Sequence, residues 1–248
     1  MPNEEEVTRY YEQQYTADHQ QEEIQESIRE YYRSHLDELF SWGRGRREEA
    51  SLLDFGCSFP TFLEEAKKAG VGRVIGVELD EAARTRGQSL GLTMLHPAEI
   101  GEVESQTVDA ARFSHTLEHH IDPLAILCGV VQKLKRGAVV YLTQPSFPVL
   151  AAQTSSKGLM DAVWPEHLHF FSPISLRVLM ERAGLRLVSF FTHQNADAVV
   201  SKYARELDLA YSVANLRDLE CLGNDLFGRN ANFPAFAGEN GAAYGLKE

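Results

Sequence analysis

Between Ser51 and Thr192, short apolar runs alternate with helical stretches of ten or so residues. "SLLDF", "RVIGVE", "LTMLH", "DAARF", "AVVYLT" and "LRLVSFF" read as strands. "PTFLEEAKKAG", "DEAARTRGQSL", "PLAILCGVVQKLKRG" and "SPISLRVLMERAG" read as helices, the first and third closing on glycine after basic residues. Parallel strands need a long crossover, usually a helix, so this rhythm implies parallel pairing. The strands are near-continuously apolar, as in a sheet covered on both faces. The expected fold class is α/β: a doubly wound, mostly parallel sheet of seven strands.

The rest of the chain divides around that core. Residues 1–48 are polar and acidic, and from Gln20 to Trp42 the side chains of Ile24, Ile28, Leu36 and Leu39 recur at helical spacing, which predicts an N-terminal helical cap. Residues 49–194 form the core. Residues 195–241 carry Val199, Tyr203, Leu207, Ala210 and Val213 in helical period and read as a helical insertion. Such a stripe left in water would be an unusual patch for a monomer, so a homodimer through the insertion is one expectation. Residues 242–248 contain "AAYGLK", short, mostly apolar and ending in charge, a candidate terminal strand.

Charge and cysteine content limit the partners. The formal net charge is −12 and no basic stripe is visible, which argues against nucleic acid, where phosphate contacts dominate affinity. Cys57, Cys128 and Cys221 are odd in number and form no C-x-x-C pair, as fits a reducing compartment without a cysteine metal site. "MPNEEEV" is acidic where a signal peptide would be basic, and no apolar run approaches the ~20 residues of a membrane span. The expectation is a cytoplasmic protein with no membrane partner.

In an open α/β sheet, ligands bind outside the carboxyl ends of the strands. The first strand, loop and helix read "LLDFGCSFPTFL", with Gly56 where backbone must approach a ligand. Glu78 ends the second strand, some twenty residues past that loop, where an acid accepts hydrogen bonds from ribose hydroxyls. The plainer alternative is a surface acid at a strand end. Strand four ends at Ser114 and His115, opening "SHTLEHHIDP", in which His115–His119 fits the H-x-x-E-H spelling of one class of zinc peptidases.

Five pieces in order resemble the class I S-adenosylmethionine-dependent methyltransferases, in particular the bacterial branch that modifies sugars, small molecules and natural products. "LLDFGC" resembles the first motif of that family and "VIGVELD" its ribose-binding second strand. "SHTLEHHIDP" resembles its H-V-L-E-H stretch, "LKRGAVVYLTQP" its L-K-P-G-G strand, and "PEHLHFFSPISLRVLMERAGL" its late P-x-H-L segment. The resemblance implies a Rossmann-like methyltransferase fold, S-adenosylmethionine as cofactor and S-adenosylhomocysteine as product. It implies cofactor contacts from Asp54, Gly56, Cys57, Ser58, Glu78, Leu79, Glu99, Ser114 and His115. It also implies that H-x-x-E-H here carries no metal, because the family has the same spelling without one.

Methyl transfer to a small-molecule hydroxyl is the leading expectation, with His115 as general base and His167 as a second candidate or acceptor contact. The plainer reading of each is a histidine holding a loop. Ser58 and Pro60 stand where the family usually has glycine, and Glu99 lies one or two places from the expected adenine-facing acid. Those departures motivate an alternative: a weakly catalytic or regulatory protein that keeps the fold. A nicotinamide oxidoreductase is the less favoured alternative, since Asp54 precedes Gly56 and no G-x-G-x-x-G follows. The acceptor would be read by Phe147–Trp164 and the insertion, where no chemistry is legible.

Overall fold

A computed structural model describes residues 6, 9, 26–43, 46–145, 167–193 and 240–247. Seven strands form one sheet: β1 (Ser51–Phe55), β2 (Arg73–Val77), β3 (Thr93–Leu95), β4 (Val108–Ser114), β5 (Leu134–Pro145), β6 (Leu185–His193) and β7 (Asn240–Lys247). Their spatial order is β3-β2-β1-β4-β5-β7-β6. β1 pairs in parallel with β2 and β4, and β2 with β3. The strand order reverses between β1 and β4, the place where ligands bind in such sheets.

The chain divides into two compact units, one comprising Met1–Ser114, Ala125–Tyr141 and Leu246–Glu248, the other His115–Leu124 and Leu142–Gly245. In the first unit, α1 (Glu26–Trp42), α2 (Thr61–Lys68), α3 (Glu81–Ser89) and most of α4 (Pro123–Val131) accompany the strands. Leu52, Leu53, Ile75, Val77, Ala110 and Ala111 are fully buried, so these central strands are apolar on both faces. α2 opens at Pro60, ends with Lys67 and Lys68 and is followed by Gly70 at φ +82, all as the sequence implies. It packs closely on the sheet: a Cβ on Gly76 of β2 would lie 2.6 Å from Leu63 Cδ1 and 2.8 Å from the Met94 side chain. Asp80 caps α3 by accepting from the Ala83 amide at 2.6 Å.

α1 lies against α2. Leu36 and Leu39 are its buried stripe, and Tyr32 meets Phe62 edge-on at 5.5 Å. Between the helices Glu65 is 2% exposed and accepts from Arg29 at 2.6 Å, Arg33 at 3.0 Å and Lys68 at 3.2 Å. Three cations offset the cost of burying one carboxylate there.

The sequence runs α4 too far. "QKLKRG" was expected to finish the helix, yet α4 stops at Val131 and β5 starts at Leu134. The Lys133 carbonyl accepts from the Thr107 and Val108 amides, so pairing to the start of β4 has already replaced the helical ladder. Gly137, at φ +79, lies inside β5 rather than capping a helix.

In the second unit, α5 (Pro173–Arg182) starts at Ser172, whose hydroxyl accepts from the Ser175 amide. The expected terminal strand is present and begins two residues earlier than its apolar run, at Asn240. Its end lies at the beginnings of both neighbours. Lys247 donates to the carbonyls of Val131 and Leu134 at 2.9 and 2.6 Å, and Gly245 sits against Leu185 and Arg186. β7 therefore runs against β5 and β6. The expected insertion and the acceptor-reading loop lie outside the described residues.

Candidate active site

Parallel register sets one row of residues along the carboxyl edge of the first unit. Phe55, Val77, Leu95 and Phe113 are mutual neighbours at the ends of β1, β2, β3 and β4. One residue further on stand Gly56, Glu78, His96 and Ser114. Gly56 takes φ +72 and donates to the Val77 carbonyl at 2.8 Å, with Cys57 donating to the same oxygen at 3.3 Å. Ser58, also at positive φ (49°), donates its amide to Glu78 Oε2 at 2.6 Å. A tight turn thus folds the loop down onto the tip of β2.

Glu78 is the centre of that turn. Its Oε1 accepts from the Leu79 and Asp80 amides at 2.8 and 3.0 Å, while among the described residues Oε2 accepts only the Ser58 amide. Burial pushes its carboxyl above the ordinary range, and the three amides draw it back without cancelling the effect. A carboxylate offers about four acceptor positions, so one remains on Oε2.

Asp54 occupies a different place from the other predicted contacts. It is completely buried, directly opposite Arg112 in the β1–β4 register, and its two oxygens accept from Arg112 Nη1 at 3.1 and 3.0 Å. The guanidinium lies 4.2 Å above the Phe62 ring. This pair supports the loop from below. Arg112, a charge set between Ala110, Ala111 and Phe113 in β4, was the available signal for it.

The remaining cofactor candidates are dispersed along the same edge. Cys57 is buried, and burial holds its thiol well above its ordinary pKa, with Asp54 and Glu78 adding to the shift. Leu79 and Ser114 are half-buried. Glu99 is exposed and closes a capping box with His96, accepting the His96 amide at 2.7 Å while His96 Nδ1 accepts from Ala98. Its carboxylate is occupied by a helix start.

The second unit holds His115, His119, His120, His167 and His169. His115, the residue after Ser114, takes φ +51 and donates its amide to the Thr143 carbonyl at 2.8 Å. Its side chain is 42% exposed, and Nδ1 lies 3.5 Å from Oε1 of Glu118, whose side chain is fully buried. Among the described residues neither carboxylate oxygen of Glu118 has a hydrogen-bond partner. His119 Nε2 lies 4.0 Å from the same oxygen. The Glu118 carbonyl accepts from the Leu168 and His169 amides at 2.8 and 3.1 Å, which brings His167 to a ring distance of 5.0 Å from His119. His120 sits deeper, and burial pushes its pKa down to about 4, with His119 reinforcing the shift. Sequence reasoning singled out the histidines and passed over Glu118, whose burial only the tertiary fold reveals.

A family model for the methyltransferase domain matches residues 24–190. The chain belongs to that family. It is an S-adenosylmethionine-dependent methyltransferase, which sets aside the nicotinamide alternative. Solved structures agree on the fold. A methyltransferase of this cofactor class from Archaeoglobus fulgidus is 20% identical, with 88% of this chain and 94% of that one aligned at a TM-score of 0.58. The magnesium protoporphyrin IX methyltransferase of Synechocystis PCC 6803 is 9% identical, with 99% and 100% covered at 0.62. A geranyl diphosphate methyltransferase is 14% identical, with 87% and 85% covered at 0.57. No curated protein matches the sequence. No helix among the described residues is long and apolar enough to cross a membrane.

The residues of this methyltransferase fit its cofactor. S-adenosylmethionine carries hydrogen-bond donors in its ribose diol and its α-ammonium. The edge offers acceptors: the open position on Glu78, and loop carbonyls whose amides are already engaged on β2.

Proposed function

We propose that this methyltransferase acts on a hydroxyl oxygen of a small-molecule acceptor, with His115 as the general base. The observation that carries this reading is the His115–Glu118 pair: an exposed imidazole backed by a buried carboxylate 3.5 Å from its Nδ1. That distance is just beyond a good hydrogen bond, and such bonds are commonly long before substrate binds. The arrangement leaves Nε2 to accept a proton while Glu118 stabilises the imidazolium.

The cofactor supplies a methyl group on a sulfonium sulfur, already activated toward a nucleophile. The chain's tasks are then to bind, to align and to remove one proton. Glu78 and the Gly56–Ser58 loop hold the cofactor's ribose and amino-acid ends. Alignment of the reactants accounts for ~7–11 kcal/mol of a barrier in well-oriented cases. A base adds about 10²–10⁴-fold, and imidazole is the side chain whose ordinary titration falls nearest neutral pH.

The test is a panel of hydroxyl, amine and carboxyl compounds incubated with S-adenosylmethionine, followed by S-adenosylhomocysteine formation and product analysis. The expected result is turnover with hydroxyl acceptors, reduced about 10²–10⁴-fold in His115→Asn with cofactor affinity retained. Turnover confined to amines, or an unimpaired His115→Asn enzyme, overturns the assignment.

A further inference from the structure

We propose that Glu118, His119 and His167 form a binding site for one divalent first-row transition-metal ion, of which zinc is the representative. The proposal concerns the second unit alone and draws on the same Glu118 that backs His115, so a metal held there competes with that pairing; its test, metal binding, is read separately from turnover.

Each of the three offers a donor atom, a carboxylate oxygen and two imidazole nitrogens, and these atoms all lie within 4.8 Å of one another. Zinc with bonds of about 2.0–2.1 Å to nitrogen and oxygen sets tetrahedral donors roughly 3.3 Å apart. No donor pair therefore has to close by more than about 1.5 Å, and Glu118 Oε1 to His119 Nε2, at 4.0 Å, is nearer still. Side-chain rotations supply movements of that size.

The second observation is the condition of Glu118. Its side chain is fully buried, and among the described residues neither oxygen has a hydrogen-bond partner. Buried carboxylates in proteins are paired, hydrogen-bonded or bound to metal, because stripping water from an uncompensated anion is costly. The flanking imidazoles at 3.5 and 4.0 Å stand too far off to hydrogen-bond. A divalent cation meets the missing charge and occupies the oxygen at once. The backbone is built to hold the third donor in place: the Glu118 carbonyl takes the amides of Leu168 and His169, directly after His167.

Two imidazoles and one carboxylate form a borderline donor set that suits zinc, and three protein donors leave a fourth position for water or a ligand oxygen. The zinc-peptidase spelling would make His115 and His119 the metal pair, and the family resemblance implied no metal in this stretch. The fold gathers Glu118 and His119 instead and draws the third donor from the segment after the loop.

The experiment uses full-length protein without a histidine tag, stripped with a chelator and titrated with Zn²⁺ against a chromophoric competitor, then with Co²⁺ by visible absorption. The expected result is one equivalent of Zn²⁺ and the d–d bands of a low-coordinate Co²⁺ site. Glu118→Gln and His167→Ala should each weaken Zn²⁺ by at least about 100-fold, beyond the effect typical of residues behind the ligands. His96→Ala should leave the affinity unchanged. S-adenosylmethionine binding and the melting transition report whether each variant is folded. In the unaltered protein, Zn²⁺ should protect His119 and His167 from carbethoxylation, a readout that needs no variant. Failure to bind Zn²⁺, or binding that survives both substitutions in folded protein, overturns the site.

Discussion

Arg112 and Asp54 face each other across β4 and β1, and a single guanidinium nitrogen reaches both oxygens of the carboxylate. Both side chains are nearly inaccessible, at 8% and 0% exposure. The loop that follows Asp54 is the proposed cofactor loop, so an ion pair in the core sets the height from which Gly56 turns. Breaking such a pair is far more costly than replacing it, because the surviving charge stays buried.

Arg112→Met should therefore destabilise the protein by about 3–5 kcal/mol, a fall in melting temperature of about 6–20 °C. The combined change Asp54→Leu with Arg112→Met should recover much of that loss. Thermal unfolding of the single and double variants measures both. A double variant as weak as the sum of its parts would show that the pair does more than neutralise itself.

Glu78→Ala should weaken S-adenosylmethionine binding by roughly 10- to 150-fold, since a hydrogen bond to a charged group contributes ~1.5–3 kcal/mol. Calorimetric titration with S-adenosylmethionine, with NAD as a control ligand, reads this directly. The variant also removes the acceptor for the Ser58, Leu79 and Asp80 amides, so a modest fall in melting temperature should accompany it.

Glu65 supplies a pH dependence with a definite sign. Burial pushes its carboxyl up, but hydrogen bonds from Arg29, Lys68 and Arg33 outweigh burial, and the folded state holds it below its ordinary 4.5. The stabilisation is therefore present above that pH and is lost as pH falls through the folded value. Glu65→Gln should be less stable than the unaltered protein at pH 7. The gap should close as the pH is lowered below about 4.5, because only the unaltered protein loses this contribution. Urea unfolding across that range checks it, and amide exchange in Glu26–Trp42 should rise in the variant at neutral pH.

Tyr244 is completely buried in β7. Tyr244→Ala should cost about 3–5 kcal/mol, the range for large aromatic deletions in a core. Deleting residues 242–248 removes most of the strand between β5 and β6 and should give insoluble or molten protein, seen as lost near-ultraviolet dichroism. A normal melting transition after the deletion would show the strand to be dispensable.

The fold was legible because its strands and helices announce themselves by period and punctuation: glycine after α2 and α5, serine before α5, acid before α3. Even "AAYGLK" could be assigned, since nothing nearer offered the seventh strand. The boundary of α4 was not legible, because "QKLKRG" satisfies a helix end and a strand start alike, and only pairing with β4 decides between them. Glu78 was readable as an acid at a strand tip. Glu118 was not, because the same letters place a glutamate in water or in a core. Its state depends on a segment some fifty residues away closing over it through two backbone hydrogen bonds.

The position of β7 also governs how the chain comes off the ribosome. Among the described strands β6 has one sheet neighbour, β7, and the chain from 194 to 239 must be made before β7 exists. At 5–20 residues per second that delay is about 2–9 s. Throughout it the far edge of β5 and both edges of β6 present unpaired backbone, the template on which strands from other nascent chains add. The growing chain thus has an interval in which aggregation competes with completion of the sheet. Slower synthesis over that stretch, or a depleted pool of chaperones, should cost yield of the protein rather than specific activity of the molecules that finish.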